Sequence, residues 1–148
     1  MHILRYLFFA AILLGFVACK KGDPTPATPA LITDGSLLGL WDEKESRGRY
    51  YNSSGQLLRD EVNVVEKPNY RYEVIFDAST IRYRSYAGST MTSDSAYTYT
   101  RKGLMLSIGD QPVQETKILE LSNQRLTLEY RSNRPSGFYY IVEDRYTR

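Results

Sequence analysis

Strict alternation of apolar and polar residues is the feature that most constrains the fold of this 148-residue chain. In Tyr70–Phe76 (YRYEVIF), every second residue is tyrosine, valine or phenylalanine, and the charged Arg71 and Glu73 fall between them. The same period recurs in Ile81–Tyr86 (IRYRSY) and in Arg125–Arg131 (RLTLEYR). Because successive side chains of a strand point to opposite faces of the sheet, this pattern predicts half-buried β-strands.

Short turn signals separate the alternating segments and limit how many strands the chain can form. Residues typical of turns cluster at 52–55, 67–69, 77–79, 102–103, 109–110 and 122–124. Such clusters favour chain reversal, and their close spacing favours consecutive hairpins. The sequence therefore predicts eight or nine antiparallel strands and no helix longer than a turn or two.

A barrel and a sandwich are the two architectures that suit so many short strands. An immunoglobulin-type sandwich places its tryptophan on a middle strand against a disulfide, whereas Trp41 opens the first strand here and the chain has one cysteine. An OB-fold has five strands, too few for this chain. We therefore predict an all-β fold, an up-and-down antiparallel β-barrel of eight or nine strands.

The N-terminus indicates export. Tyr6–Val17 is an uncharged, mostly apolar run behind a short basic start, too short to span a membrane and typical of a secretory signal. Phe16–Cys19 (FVAC) resembles a bacterial lipobox, which implies that residues 1–18 are a signal peptide and that Cys19 receives lipid, including a palmitate-type acyl chain. Acyl chains would anchor the protein to a membrane without a spanning helix. The alternative is an ordinary signal peptide with an incidental cysteine.

A proline-rich linker follows the cysteine. Residues 19–35 contain Pro24, Pro26 and Pro29 and lack any strand or helix period, which favours an extended spacer. The predicted domains are thus the signal peptide (1–18), the linker with its acylated cysteine (19–35) and one β-barrel domain (36–148). The formal net charge of +2 gives no reason to expect nucleic acid as a partner.

The composition argues against most enzymatic and metal-dependent chemistry. The single histidine, His2, and the single cysteine, Cys19, both precede the barrel domain. The barrel domain therefore cannot form catalytic arrangements that need His or Cys. It also lacks the residue types that usually bind zinc and copper. Adjacent acids, such as Asp42/Glu43 and Glu143/Asp144, point to opposite faces of a strand, so neither pair forms a catalytic dyad by spacing. We expect no enzyme activity, no cofactor and no metal site.

The segment Leu37–Glu45 (LLGLWDEKE) carries a Gly-x-Trp triplet, formed by Gly39, Leu40 and Trp41. This triplet at the start of an all-strand domain resembles the first strand of lipocalins, and the whole order resembles lipocalin-like domains of Gram-negative lipoproteins. The resemblance implies that Gly39 and Trp41 close one end of the barrel, with an arginine from the last strand over the tryptophan. By strand position we assign that arginine to Arg145, with Arg131 as the second choice.

Tyrosines on the apolar faces are the candidates for a binding site. Tyrosine combines a flat apolar ring with a hydroxyl, which suits lipids, sterols or aromatic ligands, and a small barrel can hold one such molecule. The predicted ligand contacts are Tyr72, Tyr83, Tyr97, Tyr99 and Tyr140, and Tyr130 lies on the same kind of face. The alternative is a barrel filled by its own side chains, in an accessory lipoprotein that binds another envelope protein.

The expected location is the cell envelope. The residue after Cys19 is Lys20 rather than aspartate, so inner-membrane retention is not indicated. We expect an outer-membrane lipid anchor, and both a periplasmic and a surface-exposed orientation remain open.

Overall fold

The computed structural model describes residues 36–65, 68–110 and 114–148 of the chain. The predicted signal peptide, Cys19 and the linker lie outside the described residues. Nine β-strands are described: β1 (Gly39–Tyr51), β2 (Leu57–Val64), β3 (Tyr70–Phe76), β4 (Thr80–Ala87), β5 (Thr90–Lys102), β6 (Met105–Ile108), β7 (Gln114–Leu121), β8 (Arg125–Asn133) and β9 (Tyr139–Thr147). Within these residues there is no helix long and apolar enough to cross a membrane.

The strands form one sheet that closes on itself. Neighbouring strands follow the order β2-β1-β3-β4-β5-β6-β7-β8-β9, and β1 also pairs with β9. Every pairing is antiparallel. The result is a closed eight-stranded barrel with β2 as one additional strand, which confirms the predicted all-β, up-and-down architecture.

Two long strands divide the barrel into a continuous end and a splayed end. The first residues of β1, Gly39–Asp42, pair with β3, whereas Glu45–Tyr51 pair with β2. Similarly, Thr90–Thr98 of β5 pair with β4, and Tyr99–Lys102 pair with β6. The barrel wall is therefore continuous near Gly39. Toward the other end of β1 the sheet separates into two parts, which we call flaps, one containing β2 and the other containing β3.

The hydrophobic core fills the continuous end. Its fully buried members include Trp41, Phe76, Ile81 and Leu126, contributed by strands around the whole barrel. Burying one large apolar side chain contributes roughly 1.5–3 kcal/mol relative to leaving it exposed. Packing is therefore concentrated at this end, and the interior toward the flaps is free to have another role.

Trp41 is fixed by a hydrogen bond at the edge of its ring and by a cation over one face. Its indole Nε1 donates a hydrogen bond to the Leu37 carbonyl at 2.9 Å, so the buried N–H is satisfied. The guanidinium of Arg148 lies over the ring, with Cζ 3.8 Å from the centroid. Arg148 Nη2 also donates to the carbonyls of Ser36, at 2.8 Å, and Leu38. The C-terminal residue therefore fastens the segment that leads into the first strand.

This arrangement corrects the assignment of Arg145 to the position over Trp41. Side chains alternate along β9, and Tyr146 points into the core, so Arg145 faces outward and Arg148 returns to the inner side. Arg145 instead forms ion pairs with Glu45 at 2.9 Å and Glu143 at 2.8 Å. Arg131, the second choice, lies over the ring of Tyr139 at 3.8 Å.

Gly39 begins the first strand in a conformation that favours glycine. Its φ of 110° lies where residues with a side chain are strained. A Cβ built at this position would lie 3.6 Å from Arg148 Nη2, an ordinary contact. The requirement for glycine is therefore one of backbone conformation rather than space.

Candidate ligand-binding cavity

A cavity of about 580 Å³ opens in the barrel interior beside the core. Strand β1 and strands β4–β9 all contribute to its wall. Ile108, Leu128 and Tyr146 belong both to the core and to the cavity lining, so the core forms the floor of the cavity. The volume lies within the range of about 300–1,000 Å³ that small-molecule sites occupy.

Tyrosine rings form much of the cavity wall. Tyr83 of β4 and Tyr97 of β5 meet edge to face, with ring centroids 6.1 Å apart and an interplanar angle of 64°. Tyr130 and Tyr146 line the opposite side from β8 and β9. Burial raises the pKa of Tyr130 to about 12 and that of Tyr83 further, so these hydroxyls stay neutral and act as hydrogen-bonding groups.

Two carboxyl groups, Glu43 of β1 and Asp144 of β9, line the same cavity, and we call them the inner acid pair. In the register, Glu43 lies opposite Tyr146 and Asp144 lies opposite Ser46, so the two acids are neighbours across the β1–β9 pairing. A bulge in β1 between Glu43 and Glu45 shifts the alternation locally. It allows Glu43 and Ser46 both to face the interior.

The inner acid pair differs in its hydrogen bonding. Asp144 Oδ1 accepts a hydrogen bond from Ser46 Oγ at 2.6 Å, and its Oδ2 lies 3.5 Å from the Tyr146 hydroxyl. Glu43 accepts no hydrogen bond from any residue in the described ranges. Glu43 is thus the acid of the pair that is available to a molecule in the cavity.

Burial governs the protonation of both acids. It raises the pKa of Glu43 to about 7, with the negative charge of Asp144 adding to the shift. It also raises the pKa of Asp144, although the hydrogen bonds from Ser46 and Tyr146 oppose that change. The fold therefore opposes ionisation of both acids, and near neutral pH Glu43 is close to its pKa.

No basic residue accompanies these acids among the described cavity-lining residues. The arginines lie instead on the outer face of the same strands. There Arg49 contacts Glu129 at 3.1 Å and Glu143 at 3.7 Å, while Arg47 contacts Asp60 at 2.6 Å. The outer carboxylates of this sheet therefore have cationic partners, and the inner acid pair has none within the described part of the chain.

One buried hydroxyl in the cavity wall lacks a partner. Thr116 of β7 is 2% exposed and lines the cavity, yet its Oγ1 makes no hydrogen bond with any described residue. Buried polar groups are nearly always hydrogen-bonded, and an unpaired one costs about 1–3 kcal/mol. An unpaired hydroxyl at this position marks where a polar ligand atom would be stabilised.

The five predicted tyrosines occupy four different places. Tyr83 and Tyr97 line the cavity together. Tyr99 packs its ring against the core residue Phe76, at 5.4 Å and nearly perpendicular, and its hydroxyl donates to the Asp77 carbonyl at 2.9 Å. Tyr99 is therefore partly buried against the core and does not line the cavity.

The remaining two predicted tyrosines lie at the openings. Tyr72 lines a cleft between β1 and the β2–β3 segment, which shares Glu43 with the main cavity. Tyr140 lies in a separate cleft at the splayed end, with its ring centroid 5.9 Å from that of Tyr50. Neither Tyr72 nor Tyr140 lines the main cavity.

Glu43, Asp144 and Thr116 line the cavity but are not among the contacts predicted from the sequence. Alternation separates each acid from its neighbour on the same strand, and it gives no information on acids of two different strands. The register of β1 against β9 brings together one acid from each adjacent pair. Asp144 can be identified from the sequence because it lies four residues after the inward-facing Tyr140 on the same strand, and alternation places the two on one face.

Metal binding has no support from the residue clusters. The described residues contain no group of three or more His, Cys, Asp or Glu side chains that is placed to hold a metal ion. The inner acid pair supplies two carboxyl groups, and its other neighbours are tyrosines and Ser46. The arrangement fits an organic molecule better than a bare cation.

A scan against protein-family models finds no match to this chain, and neither does a search of curated proteins. Among solved structures, the chain is similar to a DUF3598-family protein of unknown function from Nostoc punctiforme. The identity is 15%, the TM-score is 0.42, and the match covers 86% of this chain and 53% of that one.

The chain is also similar to apocrustacyanin C2, a lipocalin, with 14% identity and a TM-score of 0.41 over 75% of this chain and 59% of that one. It thus spans little more than half the length of the solved chains it matches. At this level of likeness, the barrel assignment rests on the strand pairing of the chain itself, and the site rests on its own side chains.

Proposed function

We propose that this protein is an envelope lipoprotein of the lipocalin-like type whose barrel binds a small amphipathic molecule. The observation that carries the proposal is the cavity of about 580 Å³, walled by tyrosines and containing the unpaired Thr116 hydroxyl. The lining combines tyrosine rings and aliphatic side chains with convergent polar groups, which a small-molecule site uses to fix the orientation of its ligand. The packed core beneath gives the site a rigid floor.

The proposed activity is binding without chemical conversion. A carboxyl with a raised pKa, such as Glu43, is a group that enzymes use for proton transfer. The barrel domain, however, contains no histidine or cysteine to act as its partner or as a nucleophile. A tyrosine-walled cavity with one hydrogen-bonded and one free acid supports holding a ligand in one orientation.

Membrane anchoring through Cys19 is part of the same proposal. Its support is the FVAC segment behind an apolar run, followed by the proline-rich residues 19–35. An extended spacer of this kind would hold the barrel away from the bilayer surface. The outer membrane is the proposed site, because aspartate is absent directly after the cysteine.

Binding of an octyl-chain probe, measured by isothermal titration calorimetry on Tyr83→Ala and Tyr99→Ala, tests the proposed cavity. Both tyrosines pack against the core, and only Tyr83 also lines the cavity. We expect Tyr83→Ala to weaken probe binding. Tyr99→Ala should leave probe binding nearly unchanged, although both variants lose ring packing and stability. A wild type that binds no octyl probe, together with strong destabilisation in both variants, would mean a filled barrel.

A second candidate function, docking of another envelope protein, is favoured by the edge of β2. Within the described residues, β2 pairs only with β1, so its other edge has no sheet partner. Leu58, Val62 and Val64 alternate along it and are 56%, 52% and 66% exposed. Exposed strand edges bind extended segments of other chains by adding a strand.

Site-specific photo-crosslinking in cells tests this second candidate. A crosslinker at Val64 should capture one defined envelope protein if the edge is a docking surface. Val62→Lys should abolish that product without affecting binding in the cavity. A product that persists in Val62→Lys would count against docking at β2.

A further inference from the structure

We propose that the ligand of the cavity carries a positively charged nitrogen, an alkyl or aryl ammonium group, which the inner acid pair binds. This inference rests on the proposed function, because it assigns the ligand class of the same cavity. It commits to one orientation, with the ammonium at Glu43 and Asp144 and the apolar part against the tyrosines and the floor.

The charges that face the cavity are of one sign. Glu43, Asp110 and Asp144 line it, and the described lining residues include neither lysine nor arginine. Asp110 lies in the turn after β6 and accepts a hydrogen bond from Thr98 Oγ1 at 2.9 Å, so it is already partnered. An anionic ligand head would meet two or three carboxyl groups and no compensating cation.

The contrast with the outer face shows that the missing cation is specific to the interior. Glu143 and Asp144 are adjacent, yet Glu143 contacts both Arg49 and Arg145, whereas Asp144 contacts only hydroxyl groups. Burying an ionised carboxylate without a partner is costly. A ligand cation in the cavity would be the oppositely charged partner of the inner acids, as the arginines are for the outer carboxylates.

The neighbours of the acid pair suit an ammonium group in two further ways. Rings of Tyr83, Tyr97 and Tyr130 line the cavity, and aromatic faces attract cations within about 6 Å. The unpaired Thr116 hydroxyl can accept a hydrogen bond from an N–H donor. Carboxylates, aromatic rings and acceptor hydroxyls, with no lysine or arginine among the described lining residues, favour a cationic head over an anionic one.

The test compares three probes with the same tail and different heads: octylammonium, 1-octanol and octanoate, each below its aggregation concentration. Binding is measured by isothermal titration calorimetry at pH 8 on the full chain carrying Cys19→Ser, which has no attached lipid. Octylammonium should bind at least about tenfold more tightly than octanoate, since charge-assisted hydrogen bonds are the strong ones.

Variants then locate the effect at the inner acid pair. The inner double variant Glu43→Gln, Asp144→Asn should weaken octylammonium binding about tenfold or more, and weaken 1-octanol binding far less. The outer double variant Glu45→Gln, Glu143→Gln is the matched control, because it removes two carboxyl groups from the outer face of the same two strands. Thermal unfolding checks the fold of each variant, and the amides of the inner double variant preserve the shape of the neutral acids.

Each outcome decides between the two claims. Equal binding of all three probes, or tightest binding of octanoate, overturns the ammonium assignment and leaves the small-molecule function standing. Equal losses in the inner and outer double variants also overturn it, because the effect would be one of net charge. Binding of none of the probes overturns the assignment and the proposed function together.

Discussion

Arg148 holds its guanidinium over the ring of Trp41, with Cζ 3.8 Å from the ring centroid, and the same guanidinium donates to the carbonyl of Ser36 at 2.8 Å. The last residue of the chain thus covers the tryptophan of the first strand and binds the segment before it. This contact closes the continuous end of the barrel, beneath the floor of the cavity.

The first prediction concerns this closure. Arg148→Ala removes a cation–π contact and two hydrogen bonds to carbonyls, so it should lower the free energy of unfolding by about 1–3 kcal/mol. Arg145→Ala, at the end of β9, is the matched control, because exposed ion pairs contribute only about 0–1 kcal/mol. Urea unfolding measures both, and a larger effect for Arg145→Ala would contradict the arrangement.

Trp41 provides the second prediction. Its side chain is fully buried, so Trp41→Ala should cost about 3–5 kcal/mol of stability. The fluorescence of this single tryptophan should be blue-shifted in the folded protein and red-shifted in denaturant. A native emission maximum typical of exposed tryptophan would show that the ring does not close the barrel.

The third prediction is a pH dependence of stability that arises from Glu43. Its pKa rises from the ordinary value of 4.5 to about 7 in the fold, so the folded state binds the proton more tightly than the unfolded chain. The stability that this group contributes is complete below about pH 4.5 and is lost as the pH rises to about 7. The loss amounts to roughly 3–4 kcal/mol over that window, at about 1.4 kcal/mol per unit of pKa shift.

The groups that face Glu43 do not reverse this direction. Asp144 has a raised pKa as well and acts in the same sense, while Tyr83, Tyr130 and Tyr146 have pKa values above 10 and stay neutral throughout the window. Glu43→Gln should flatten the fall in stability between pH 5 and pH 8, measured by urea unfolding. Glu45→Gln should leave it in place, and an equally steep fall in Glu43→Gln would rule out the assignment.

The fourth prediction concerns the unpaired hydroxyl. Thr116→Val replaces a buried, unpartnered Oγ1 with a methyl group of similar size, so it should stabilise the ligand-free protein by about 1 kcal/mol or more. Thr127→Val is the control, because Thr127 is also buried but its Oγ1 lies 3.4 Å from Glu120 Oε2. Thr127→Val should be neutral or destabilising, and the same sign in both variants would remove Thr116 as a marker of the site.

The fifth prediction concerns lipidation. Cells labelled with a tagged fatty acid should mark the wild-type protein and not Cys19→Ser. The serine variant should also leave the membrane fraction. Equal labelling of the two proteins would refute acylation at Cys19.

The alternation of apolar and polar residues predicts most of the strands and part of the candidate site. The apolar period in Tyr70–Phe76 and Arg125–Arg131 corresponds to strands β3 and β8, because burial on one face demands that pattern. The same rule applied through β9 would have placed Arg148, and not Arg145, on the side of Trp41. The assignment failed because it was made from location on the last strand rather than from parity with Tyr140.

The remainder of the site depended on features that no local pattern reveals. The bulge at Glu43–Glu45 shifts the alternation within β1, and the register with β9 then brings Glu43 beside Asp144. Neither a bulge nor a register is visible in a single strand, since both arise from pairing with another. The pairing of β1 with two strands also depends on contacts between strands. β3 pairs with the first part of β1 and β2 with the later part, along the same edge.

Ligand binding inside the barrel is tested most sharply by nuclear Overhauser contacts between a bound octyl probe and methyl groups of the protein. Ile108 and Leu128 line the cavity, whereas Leu58 and Val64 lie on the exposed strand β2. We predict contacts from the tail of octylammonium, and more weakly of 1-octanol, to the methyl groups of Ile108 and Leu128. Contacts only to Leu58 and Val64, or none for either probe, would contradict a ligand-binding barrel.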